Sequence, residues 1–286
     1  MTTHTTEPTN TETRPVTVPM RFILLLASGL VFVAGFQLFV LTEHTDRFFA
    51  WEIGFPLSAA FLGAGYWAAC LLELLSARER EWANARPAVP AVWLFTVLTA
   101  VATIVHVDVF DVANPFAWAW IGIYVTVPIA LGVILVVQRR TPGVDPPRRR
   151  RLPAWLRGTL ALLATVLLSV GSGLFLAPNV FADLWPWDLT PLLSRAVGAW
   201  LIGAGILTLQ IVWEDDWRRS RISFLTLSVW GLLLLVAIGR YREALTWDGH
   251  LGAFLIVLAT IVAVGLYGVY VGWFETDATG RSVDAA

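Results

Sequence analysis

Residues 22–41 read FILLLASGLVFVAGFQLFVL, twenty positions without a charge. At about 1.5 Å per residue, such a helix matches the roughly 30 Å hydrocarbon core of a bilayer. Seven further charge-free runs follow, at 53–72, 87–105, 112–138, 158–182, 196–213, 222–239 and 251–274. The first run is longer than the roughly 7–15 apolar residues of a signal peptide, and no A-x-A cleavage pattern follows it. The expected fold class is therefore all-α: a polytopic integral membrane protein of eight transmembrane helices.

Composition points the same way. Of 286 residues 57% are hydrophobic and 14% charged, with a mean hydropathy of +0.69. Soluble domains carry about a quarter charged residues. The net charge of −1 gives no reason to expect a nucleic-acid partner, and the single cysteine, Cys70, excludes an intramolecular disulfide. All twenty basic residues are arginine.

Those arginines set an orientation, because cytoplasmic loops accumulate positive charge. With the N-terminus inside, sixteen fall on inner segments, among them Arg78, Arg80, Arg86, Arg139, Arg140, Arg148 to Arg151, Arg218, Arg219 and Arg221. Only Arg47, Arg195, Arg240 and Arg242 fall outside. A multi-pass protein of the bacterial cell membrane is expected, with both termini cytoplasmic.

Five segments follow. Residues 1–19 are threonine-rich and are expected to stay unpacked, as is the short polar tail 275–286. Residues 20–138 and 155–274 hold four runs each. Between them, 139–154 is a proline- and arginine-rich linker whose prolines forbid a helix. Arg148, Arg149, Arg150 and Arg151 on it are expected to meet anionic headgroups of the inner leaflet, one of the membrane-lipid partners foreseen.

The two four-run segments resemble one another. Gly35, Leu38, Phe39 and Val40 match Gly171, Leu174, Phe175 and Leu176 at an offset of 136. Trp51-Glu52-Ile53 falls on Trp187-Asp188-Leu189 at the same offset, and Gly63-Ala64-Gly65 on Gly203-Ala204-Gly205 at 140. Four spans is an even number, so the expected arrangement is two parallel four-helix repeats (4+4) about an axis along the membrane normal, with room for a ligand between them.

The candidate site lies on the outer half. Trp51, Trp185 and Trp187 sit in turns rich in acids and prolines, such as 51–56 and 185–191, where proline opens the next helix. These turns resemble those of multi-span bacterial membrane proteins, a likeness that implies no activity. Glu52, His106, Asp108 and Asp188 gather at the same level, and Arg195 stands one turn inside the sixth run. An ionisable group within a span seeks a partner, so Arg195 is expected to pair with Asp188, Glu52 or Asp108 beneath the tryptophan rim. Glu73, near the inner end of the second run, is expected to snorkel to the interface.

No nucleotide loop, zinc-protease, hydrolase-elbow or C-x-x-C motif occurs. His106-Val-Asp108 supplies too few ligands for a metal, and no cofactor is expected. The reading is a small-molecule or lipid carrier or binding protein with its site between the repeats. A non-catalytic accessory subunit of a membrane complex, or a membrane enzyme acting on a lipid-linked substrate, are the alternatives.

Overall fold

The computed structural model describes residues 12–111, 113–247 and 249–275, with side chains through Trp273. Eight helices are long and apolar enough to cross a membrane. They are α1 Val18–Phe39, α2 Pro56–Arg78, α3 Ala88–Val105, α4 Pro115–Arg140, α5 Ala154–Leu176, α6 Pro191–Glu214, α7 Trp217–Arg240 and α8 Gly249–Val269. A π-helical turn, Tyr270–Glu275, continues α8. No strand forms among the described residues beyond two isolated bridges.

Local chemistry starts the helices where the sequence puts its prolines. Pro56, Pro115 and Pro191 each occupy the first turn, where the missing N–H costs nothing. Asn114 and Thr190 cap two of these helices with side-chain oxygens that accept from Phe116 N and Leu193 N. At the opposite end, Asp216 caps α7 by accepting from Arg219 N.

Burial divides the helices into a central and a peripheral set. The apolar window of α2 is 78% buried, and those of α3, α6 and α7 are 50 to 56%. The windows of α1, α4, α5 and α8 fall to 22–39%. Their outward faces carry Phe22, Phe32, Ile129, Val133, Leu162 and Ile256, the side chains that lipid would cover. Within the bundle α1 lies on α2 and α5 on α6, while α2 also packs on α7 and α6 on α3.

Glycines allow two close crossings. A Cβ on Gly63 of α2 would lie 2.6 Å from the backbone N of Phe39 on α1. A Cβ on Gly198 of α6 would lie 2.7 Å from Gly171 O and 2.9 Å from Phe175 N on α5. Gly63 and Gly198 thus do the same job against Phe39 and Phe175. That contact register is 135, whereas the triplet match of the sequence sets Gly63 against Gly203. Gly203 instead faces Phe95 of α3, where an added Cβ would make an ordinary contact at 3.5 Å. Triplets of small residues recur easily in apolar helices, so the identity alone misled.

The N-terminal strap and the linker are built into one end of the bundle, here termed the near face. Residues 12–17, expected within an unpacked tail, are ordered: Arg14 N donates to Val144 O, Val16 N to Arg80 O, and Trp82 N to Arg14 O. Gln138 is buried and holds Thr17 through its N–H and hydroxyl. Residues 1–11 and 276–286 lie outside the described residues. The linker is irregular, as its prolines require.

Candidate functional site

At the far face, the expected site residues divide into separate environments. Trp51 is buried against Phe49, Phe110 and Trp120. Trp185 and Trp187 are buried in a second cluster with Phe61 and Phe254, and Trp187 donates its indole N–H to Ser58 Oγ at 2.9 Å. Glu52, Asp108 and Asp188 are exposed. Arg195 pairs with none of them. Its Nη1 lies 2.8 Å from His106 Nε2 and 3.5 Å from Pro191 O. Glu52 and Asp188 turn to solvent because the neighbouring Trp51 and Trp187 are committed to the core. The histidine that ends α3 is what comes within reach.

Burial lowers the His106 pKa, the Arg195 guanidinium lowers it further, and the Asp108 carboxylate acts against both. A neutral ring whose Nε2 accepts from Arg195 is the form this geometry favours.

A small cavity lies among the spans themselves. It measures about 90 Å³ and is lined by helices of both halves: α1, α2, α3 and α4 with α6 and α7. Phe95, Tyr124, Trp200 and Trp230 give it aromatic walls, and Ala68, Ala69, Gly203 and Ala204 leave the space. Its residues run from the middle of the spans toward the near face, Leu72 and Leu207 being among the nearest to that end.

Two polar atoms on this cavity have no hydrogen-bond partner among the described residues. Glu73 is 2% exposed and its Oε2 accepts nothing. Trp230 is 4% exposed and its indole N–H donates to nothing. Other polar groups there are satisfied at home: Thr96 Oγ1 donates to Trp93 O, Thr226 Oγ1 to Ile222 O, and the Tyr66 and Tyr124 hydroxyls meet at 2.8 Å. An unmet buried carboxyl oxygen is costly, on the order of 1–3 kcal/mol or more.

Contrary to expectation, Glu73 does not snorkel to the interface. Side chains lean toward the N-terminus of their own helix. Because α2 runs from the far face to the near face, that lean carries the Glu73 carboxyl inward, away from the interface. The enclosure of α2 does the rest. In sequence, Arg78 five positions later makes Glu73 read as a headgroup-level residue.

A second ensemble occupies the near face. The segments Glu79-Arg80-Glu81-Trp82-Ala83-Asn84-Ala85-Arg86 and Glu214-Asp215-Asp216-Trp217-Arg218-Arg219-Ser220-Arg221 share the pattern Glu-x-acid-Trp-x-x-x-Arg at an offset of 135. Each glutamate binds the arginine of the other segment. Arg86 grips Glu214 through Nε and Nη2 at 2.7 and 2.8 Å, and Arg221 Nη2 meets Glu79 Oε1 at 2.6 Å. Such forked pairing of guanidinium with carboxylate is both strong and directional. Within each segment the residue five after the glutamate supports it: Asn84 Nδ2 donates to Glu79 Oε2, and Arg219 Nη1 to Glu214 Oε2. Both tryptophans are buried, and their backbone N–H groups go to Arg14 O and Arg150 O. Burial would lower the Arg86 pKa, but Glu214 and Asp145 outweigh it and raise it.

The charged pattern was legible in the sequence. Treating the arginines only as markers of topology passes over it.

The linker arginines are exposed, and their backbone and part of their side chains are tied to the α6–α7 turn. Arg148 donates to Glu214 O and Trp213 O. The backbone N–H groups of Arg149 and Arg150 both reach Asp216 Oδ2. The Arg150 guanidinium lies over the Trp217 ring, and Arg151 approaches Asp215 at 3.9 Å.

Comparison of the chain with family models, with curated proteins and with solved structures finds no match. Among the described residues no group of three metal-ligating side chains assembles.

Proposed function

We propose that this protein is a membrane carrier or binding protein for a small, mainly apolar molecule, held between two four-helix halves beside Glu73. The observation that carries the reading is the buried Glu73 carboxyl, with one oxygen unbonded, on a cavity walled by aromatic rings. Trp230 adds an unmet donor on the same wall. A complementary ligand brings a hydrogen-bond donor or ammonium group for Glu73 and an acceptor for Trp230, with an apolar body for the rest. The aromatic walls favour a cation over a neutral donor. This moves the candidate site from the outer half, where the sequence put it, to the middle and near half of the spans.

Support for two parallel repeats comes from exchange of roles at offsets of 135 and 136. Gly63 and Gly198, Glu79 and Glu214, Arg86 and Arg221, and Arg14 and Arg150 each make the contacts of their counterparts. The arginine balance supports a cytoplasmic near face in a bacterial cell membrane.

The test is native mass spectrometry of gently extracted full chain. A retained small molecule should be present in the wild type and released or strongly reduced in Glu73→Gln and Trp230→Phe. Equal retention by all three proteins would sink the assignment of the ligand to this cavity.

A further inference from the structure

A pocket of about 440 Å³ on the near face is bounded by Arg78, Arg80, Arg218 and Arg221. Leu75, Ile222 and Trp273 form its apolar side. The acids beside it are Glu79 and Glu81. Glu79 is held by Arg221 and Asn84. Glu81 accepts from Asn84 and sees Arg218 only at 3.9 Å. Arg78 and Arg80 are exposed and bond to no acid among the described residues. Four guanidinium groups thus face two carboxylates. Among the described residues, three buried N–H groups around the pocket also have no acceptor: Arg218 Nε, Arg221 Nε and Trp273 Nε1.

The other half supplies an internal comparison. Arg86, the counterpart of Arg221, binds Glu214 and in addition a second carboxylate, Asp145 of the linker, at 2.6 Å. No described carboxylate does the same for Arg221, whose ring-stacked guanidinium lies 4.9 Å from the Trp273 centroid. The side chain of Glu275 and the residues beyond it, including Asp277, are outside the described set. By its counterpart's example the Arg221 pocket is built to take an oxyanion.

We propose that this pocket binds a phosphate group, carried by an anionic lipid or free in solution. Arg78, Arg218 and Arg221 are its ligands, and Trp273 is its apolar wall. Arginine forks match phosphate oxygens as they match carboxylates. The pocket stands at the ends of α2 and α7, the level of headgroups if the spans fill the hydrocarbon core. Leu75 and Ile222 offer an apolar surface for the start of an acyl chain. This proposal is independent of the Glu73 cavity.

Full-length protein in neutral detergent should be titrated with phosphatidylglycerol, with phosphatidylcholine and with inorganic phosphate, bound molecules being counted by native mass spectrometry. The expected result is retention of phosphatidylglycerol over phosphatidylcholine, weakened roughly tenfold or more by Arg218→Gln or Arg78→Gln. Arg140→Gln, an exposed arginine elsewhere on the near face, should leave it unchanged. Binding of phosphate alone, with the same dependence on Arg218, would support the site with a soluble anion as its source. Three results would overturn the proposal: no binding of either anion, equal loss in Arg140→Gln, or binding by a chain ending at residue 275 that the full chain lacks. The last would put the protein's own tail carboxylates on the guanidinium groups.

Discussion

At the scale of single residues, what decides a role is the partner that comes within reach. Arg195 lies one turn inside α6 and meets a histidine, so removing it leaves no buried acid uncompensated. Arg195→Ala is expected to cost under about 1 kcal/mol in detergent melting experiments, far below the roughly 3–5 kcal/mol of a broken buried ion pair. The pH dependence follows from His106. Its folded pKa is lowered by burial and by Arg195, so the unfolded chain binds the proton more tightly. The stabilisation is present above the ordinary histidine value of about 6.5 and is lost as pH falls below it. Melting temperature should therefore drop slightly between about pH 7.5 and 5.5, and the drop should shrink in Arg195→Ala. An unchanged slope would show that Arg195 does not act on the ring. Glu73 is the opposite case. Nothing within its own span identifies it, yet it is the buried carboxyl on which the proposed ligand depends.

Among the helices, close interfaces depend on an absent side chain. Gly198→Ala would press a methyl to 2.7 Å from Gly171 O and 2.9 Å from Phe175 N, both backbone atoms that cannot swing aside. A loss of about 1–3 kcal/mol is expected, the usual cost of overpacking. Gly122→Ala on α4 meets nothing within 4 Å. Alanine there should be neutral or stabilising by up to about 1 kcal/mol, because glycine weakens a helix interior. Thermal melts of the two variants check this, and a neutral Gly198→Ala would mean that α5 and α6 are free to part. Both glycines stand in similar apolar text. Only the crossing distance separates them.

For the whole molecule, the sidedness of the bundle rests on the arginine balance, and a reporter can read it. A periplasm-active reporter fused after residue 110 or 183 should give signal, and one fused after residue 83 or 146 should give none. Signal at residue 146 would reverse the orientation. The near face is also where the two halves are tied together. Glu214 is fully buried, and it accepts from Arg86 and Arg219. Each half thus contributes a glutamate and an arginine to a pair of crossed bridges. The linker closes over them, Arg219 donating to Pro146 O as well. This explains why a segment that reads as a charged spacer is folded into the structure.

By itself the sequence determined the number and approximate places of the spans, because the cost of placing charge in hydrocarbon punctuates the text so heavily; the bounds shifted by up to six residues, as where α2 continues through Glu73 to Arg78. It determined where α2, α4 and α6 begin, since proline at a first turn is a local constraint, and it held the Glu-x-acid-Trp-x-x-x-Arg pattern in plain view. The tertiary structure decided which face of each helix is enclosed. That one choice buries Trp51, Trp185 and Trp187, leaves Glu52, Asp108 and Asp188 in solvent, and turns Glu73 inward. All eight helices are apolar around most of their circumference, so periodicity cannot tell a lipid-facing side from a core-facing one. Only the packing of α2 among its neighbours makes that distinction.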